Sequence, residues 1–165
     1  VQFLPVIGDA ERVGPWVREK AGGCGGVPCT TLGVEWDGGL VAGALFREYT
    51  KHNLWVDLRI DDPAASKLLF RLIGNYVVKQ LGLSRLTLST ESSNLAAVRL
   101  HEKLGAILEG KLLGAGSSGD DILISRLTPE CSLWRRLDGR RRFTTTGTRS
   151  PACNTGSGSS ESARV

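Results

Sequence analysis

The sequence predicts a mixed α/β fold of the α+β kind, with a mostly antiparallel central sheet flanked by helices. Three observations carry this. Apolar residues make up 41% of the 165, enough for one core, and no run approaches the roughly eighteen that a membrane span needs. Alternating apolar runs follow one another between residues 32 and 60 with turn residues between them, the pattern of an antiparallel meander. Two capped amphipathic stretches then alternate with short apolar runs, so the order reads β, α, three β, α, β, α, two β.

Phe3 to Ile7 reads as a first strand, after which Asp9 caps a helix whose inward positions are Ala10, Val13, Trp16 and Val17. Pro15 is expected to shorten or break that helix, because proline lacks the N–H and crowds the preceding turn. Gly22 to Gly26, four glycines in five residues, is expected to be a surface loop. Leu32, Val34 and Trp36 alternate in the next strand, and Asp37, Gly38 and Gly39 turn it into Leu40 to Phe46. In Leu54 to Ile60 the side chains of Leu54, Val56, Leu58 and Ile60 share one face, and Trp55, Asp57 and Arg59 the other.

Asp62 followed by Pro63 is an N-cap and a first helical residue, and Ala65, Leu68, Leu69, Leu72, Ile73, Tyr76, Val77 and Leu81 keep helical spacing to Gly82. Leu86 to Ser89 makes a strand. Asn94 caps a helix through Leu104 with Ala97, Val98, Leu100 and Leu104 inward, and Gly105 stops it. Ile107 to Leu113 and Ile122 to Leu127 close the sheet around a loop from Gly114 to Gly119.

The formal charge is +4, but it is unevenly placed: 14 basic and 14 acidic residues precede Glu130, and 7 and 3 follow from there on. The basicity therefore belongs to the tail, and a basic stripe on the folded face, which nucleic-acid binding would use, is not indicated. After Trp134 the composition turns to Arg, Ser, Thr and Gly, with Arg140, Arg141 and Arg142 together, and this stretch has too few aliphatic residues for a core. Cys24, Cys29, Cys131 and Cys153 form no Cys-x-x-Cys and have no histidine at ligand spacing, so zinc and a disulfide framework are not expected. No charged leader opens the chain and Val1 is compatible with a trimmed methionine, so a cytoplasmic protein is expected.

That element order, with ESSNLAAVRLHEKLGAILEG from Glu91 to Gly110, resembles the GNAT family of N-acetyltransferases, whose second signature is Asn-x-x-Ala followed by Tyr-Glu-Lys-x-Gly-Phe. Asn94, Ala97, Glu102, Lys103, Gly105 and Glu109-Gly110 fit it, while His101 stands for the tyrosine and Ala106 for the phenylalanine. The resemblance implies a GNAT-like domain over residues 1–134 and a basic tail over 135–165. The ending through Glu130, Cys131, Leu133 and Trp134 is most similar to GNAT-type proteins of bacteriophages and prophages.

The resemblance also implies acetyl-CoA as cofactor and three features that hold and use it. The family's phosphate cradle, Gln/Arg-x-x-Gly-x-Gly/Ala, falls at Asp61 to Phe70, which contains no glycine and opens with two carboxylates and a proline, so the cradle is degenerate. Ser66 and Lys67 are then the candidate phosphate contacts, and Asn94 is counted with them as cofactor-binding. The pantetheine arm would bond to the backbone of Leu58 and Ile60, where the family's strands splay. For proton handling, Asp57 is the candidate base, with Glu48 or His52 nearby, and His101 the candidate acid.

Two function classes follow. One is acetyl transfer from acetyl-CoA to an amine. The other is a catalytically inert structural or interaction protein of a phage particle, located in the virion rather than in the host cytoplasm. Its residues 135–165 would be ordered by a protein partner, such as another particle protein. Nucleic acid on the arginine cluster and a homo-oligomer are further partners the sequence allows; a membrane is not among them.

Overall fold

The computed structural model describes residues 2–21 and 30–131. The glycine-rich stretch after Ala21, with Cys24 and Cys29, lies outside the described residues. So does everything from Ser132 onward, including Trp134, the arginine cluster, Cys153 and the boundary expected after residue 134.

Seven strands form one sheet in the order β1-β2-β3-β4-β5-β7-β6. β1 (Leu4–Ile7), β2 (Thr30–Trp36), β3 (Gly39–Arg47) and β4 (Leu54–Ile60) are joined antiparallel, so the expected meander is present. Its first turn is made by Asp37 and Gly38, both at positive φ (50° and 75°), the conformation that matches the twist of a two-residue hairpin. β5 (Leu86–Glu91) is parallel to β4, and β7 (Ile122–Leu127) inserts antiparallel between β5 and β6 (Ile107–Leu112).

α1 (Ala10–Ala21) starts at Asp9, whose Oδ1 accepts the Arg12 amide at 3.1 Å. Contrary to expectation, Pro15 sits inside this helix without ending it. The carbonyl it deprives of a partner belongs to Glu11 in the first turn, and both residues are exposed, so solvent serves that group. Val13 and Val17 seal α1 against Leu45, with Val6, Trp16 and Leu40 around them. The approach is close: a Cβ on Gly43 of β3 would stand 2.9 Å from a Val17 methyl, so only glycine fits there.

The opposite face is covered by α2 (Ser66–Gly74), which continues a 3-10 turn, Pro63–Ala65, and runs on into a π turn, Asn75–Gln80. The stretch expected as one uniform helix is thus wound three ways, and the Leu81 amide reaches back to the Tyr76 carbonyl at 3.0 Å. Leu69, Phe70, Ile73 and Val77 bury against Ala42, Ala44, Phe46, Leu54 and Val56 in the main core. A fully buried Leu or Ile of this kind contributes about 1.5–3 kcal/mol. α3 (Leu95–Leu104) follows β5, begins with Asn94 and ends at Gly105, whose φ of 78° is the left-handed closing residue.

Candidate functional site

The sheet opens between β4 and β5. Their ladder has three rungs, Leu54 with Leu86, Trp55 with Thr87 and Val56 with Leu88, and then stops. Beyond it β4 continues to Ile60 alongside β3, and β5 continues to Glu91 alongside β7, so each strand keeps its other neighbour. The direction of the free groups follows from register. Asp61 donates its amide to the Val41 carbonyl at 2.8 Å, which makes the odd positions of β4 the ones that bond to β3. The N–H and C=O of Leu58 and Ile60 therefore point toward β5, where, among the described residues, no backbone group meets them.

Asp57 lies on the α1 face of this opening. Its carboxylate is gripped by Arg47, with Nε to Oδ2 at 2.8 Å and Nη2 to Oδ1 at 3.3 Å, and the same guanidinium lies over Trp55 and reaches Glu48. Hydrogen bonding to Asp57 raises the Arg47 pKa above its ordinary value. Two positions along, Arg59 stacks on Trp16 at 4.0 Å, donates to the Trp16 carbonyl, and pairs with Glu19 and Asp61. Lys20 also pairs with Asp61, whose carboxyl is held below its ordinary pKa chiefly by the Arg59 hydrogen bonds. This network clamps α1 to the open edge of β4.

His101 is on the other face. It is 8% exposed, at the end of a small cavity of about 100 Å³ lined also by Thr90, Val98, Ala106, Leu108, Leu123 and Ser125. The register that puts Leu88 beside Val56 places Thr90 on the face of Leu58 and Ile60, so His101 and Asp57 sit on opposite sides of the sheet. Burial lowers the His101 pKa and so favours the neutral imidazole. The two groups expected to handle protons are not brought together.

At the start of the α2 stretch, Asp62 Oδ1 accepts the Ala64 amide at 2.8 Å, and the Asp62 carbonyl accepts the Ala65 amide at 3.1 Å. Pro63 has no amide to offer. Ser66 donates both its amide and its hydroxyl to the Pro63 carbonyl, the latter at 2.6 Å. Lys67 is exposed, beside Arg71, Gln2 and Phe3 in an open cleft of about 350 Å³. Asn94 is used as a cap, accepting the Ala97 amide at 3.2 Å. Tested as a coenzyme A site, the open strand edge fits the amides of a pantetheine arm, whereas the helix start, its amides already taken and two carboxylates beside it, does not fit a pyrophosphate.

No protein-family model and no curated protein sequence matches the chain. Solved structures do. A spermidine/spermine N-acetyltransferase from Vibrio cholerae, in mutant form, is similar at TM-score 0.64 and 13% identity over 85% of this chain and 100% of that one. The ribosomal-protein-S18-alanine N-acetyltransferase of Escherichia coli is similar at TM-score 0.56 and 17% identity, over 77% and 94%. A GNAT-family acetyltransferase from Bacillus anthracis is similar at TM-score 0.50 and 20% identity over 61% of this chain, which spans 66% of that protein's length.

The chain has the GNAT fold.

The likeness is one of fold, and the open β4–β5 edge, which no local sequence signal marks, is where the fold offers unused backbone groups. That Asp57 pairs with an arginine is in keeping with its sequence surroundings; that the arginine is Arg47 rather than Arg59 beside it on β4 depends on the pairing of Arg47 with Trp55 across the β3–β4 hairpin. Sequence reasoning missed the role of Glu91, whose carboxylate accepts the Ser117 amide at 2.8 Å and the Ser117 hydroxyl at 2.7 Å. Among the described residues no helix is long and apolar enough to cross a membrane, and no group of His, Cys, Asp and Glu is placed to hold a metal ion.

Proposed function

We propose that this GNAT-fold chain transfers an acetyl group from acetyl-CoA to an amine. The observation that carries the reading is the open edge of β4, where Leu58 and Ile60 present four backbone groups that no strand among the described residues uses. An amide-bearing chain lying along that edge would satisfy them as a fifth strand does elsewhere in a sheet. Acetyl-CoA is the substrate that brings the acetyl group as a thioester. In the transfer the amine nitrogen bonds to the acyl carbon and the carbon–sulfur bond breaks; the amine gives up a proton and the thiolate takes one.

Asp57, on the α1 face, is the proposed acceptor of the amine's proton, held in place by Arg47. His101 occupies the position that the sequence resemblance gives to the family's acid; it lies across the sheet from Asp57 and burial favours its neutral form, so acid catalysis there is at most a secondary contribution. Lys67, with Arg71 beside it in the same cleft, is the proposed contact for the phosphates, as an exposed cation rather than as part of a backbone cradle. Two of the structures with this fold are named for action on a polyamine and on a protein's alanine, and an amine acceptor here is consistent with both. The experiment is a calorimetric titration of acetyl-CoA into the full chain: binding in the micromolar range, about −8 kcal/mol, is expected, and silence at millimolar acetyl-CoA would refute the reading.

A second reading has a specific observation in its favour. The helix start that should receive a pyrophosphate is instead closed by Asp62, as it would be in a chain that had no phosphate to bind. On that reading the chain is a non-catalytic GNAT-fold component of a phage particle, in the virion, with residues 135–165 bound to a neighbouring protein. Truncation after Leu137 separates the two, since the enzyme keeps its acetyl-CoA affinity and the particle component loses its partner.

A further inference from the structure

α3 does not lie flush on the sheet. Between the helix and the strands is the cavity of about 100 Å³ that His101 lines. Its floor crosses three strands: Thr90 on β5, its partner Leu123 on β7, then Ser125 and its partner Leu108 on β6. Its roof is one side of α3, Val98 and His101, with Ala106 just beyond the helix end. Ala106 and Ser125 are too small to fill the space between these walls.

The cavity adjoins the β4–β5 opening. Continued past its last rung, the β4–β5 register sets Thr90 opposite Leu58, so the residue at the near edge of the cavity faces, across the gap, the backbone that is free to bond a ligand. Size and lining then define what the cavity takes. An apolar cavity of about 150 Å³ admits benzene, with six carbons, so one of about 100 Å³ admits roughly four. Val98, Ala106, Leu108 and Leu123 give it apolar walls, and the His101 imidazole and the hydroxyls of Thr90 and Ser125 a polar fringe. Glu102, the one charged residue beside it, is exposed.

We propose that this cavity seats the acyl group of the donor thioester, and that the protein's preferred donor carries a short acyl group of about four carbons rather than acetyl. This rests on the reading of transfer from a coenzyme A thioester to an amine, and names the donor. The bonds exchanged are those of acetyl transfer: the amine nitrogen bonds to the acyl carbon, the carbon–sulfur bond breaks, the amine gives up a proton and the thiolate takes one.

Calorimetric titration of acetyl-, butyryl- and octanoyl-CoA into the full chain tests this without any turnover. Two further methylenes entering an apolar cavity should tighten butyryl-CoA about tenfold over acetyl-CoA, and the gain should end there, with octanoyl-CoA binding no more tightly than butyryl-CoA. Ala106→Phe fills the cavity and should abolish the preference for butyryl-CoA while acetyl-CoA still binds; Ala106→Val, a smaller change beside the core, should remove part of it. Equal affinity for acetyl- and butyryl-CoA overturns the proposal and leaves acetyl transfer standing. An affinity that keeps climbing to octanoyl-CoA, or a butyryl preference undiminished in the folded variants, means that the acyl group lies elsewhere and overturns it too. If neither acetyl- nor butyryl-CoA binds at millimolar concentration, the transfer reading itself falls and takes this one with it.

Discussion

Asp57 and His101 make different demands on the protein, and each yields a test. Asp57 is tied by two hydrogen bonds to Arg47, so a structural role and the proposed catalytic role fall on one carboxylate. Asp57→Asn should lower turnover by about a hundredfold or more while leaving acetyl-CoA affinity unchanged. If steady-state kinetics instead show full turnover alongside a lowered denaturation midpoint, Asp57 serves only to neutralise Arg47. His101 acts on stability. In the unfolded chain a histidine takes up its proton as pH falls through about 6.5, whereas buried His101 resists protonation to lower pH. The unfolded state therefore binds the extra proton first, and stability declines as pH drops below that value. His101→Gln should flatten the decline between pH 7.5 and 5.5 in urea titrations; an unaltered slope would show that the imidazole is not the group responsible.

Elements are legible in the sequence where their causes are local. Asp9, Asp62 and Asn94 each cap the helix they precede, and Gly105 closes α3 in the left-handed conformation, because caps act within one turn of themselves. The two-faced pattern of β4 is equally readable, since side-chain alternation needs no partner strand. Pro15 departs from the local rule because the helix face it disturbs is exposed, which the sequence around it does not reveal. The strand order β5-β7-β6, the early end of the β4–β5 ladder and the Arg47–Asp57 pair depend on residues far apart in the chain, and no local signal encodes them. At this scale Gly43 is the sharpest test. Gly43→Ala would push a methyl into Val17, Trp16 and Val13, separating α1 from β3 at a cost of about 1–3 kcal/mol, visible as a lower denaturant midpoint. An unchanged midpoint would mean that α1 shifts freely and that its clamp to β4 by Arg59 is not rigid.

For the whole molecule, the fold reads as a covered sheet with one edge left open at its centre. α1 and α2 bury opposite faces of β2, β3 and β4, and the salt-bridge network of Arg59, Glu19, Asp61 and Lys20 holds α1 at the margin of the opening without closing it. Along β4 the opening leaves the backbone groups of Leu58 and Ile60 unpaired among the described residues, and beyond it lies an ordinary self-capped helix start. What sets the site apart is therefore four backbone groups rather than any side chain. Amide hydrogen exchange at Leu58 and Ile60, followed with and without saturating acetyl-CoA, tests it most directly. Fast exchange in the free protein and strong protection at both amides when acetyl-CoA is added are expected; exchange that acetyl-CoA leaves unchanged would mean that the open edge of β4 does not hold it.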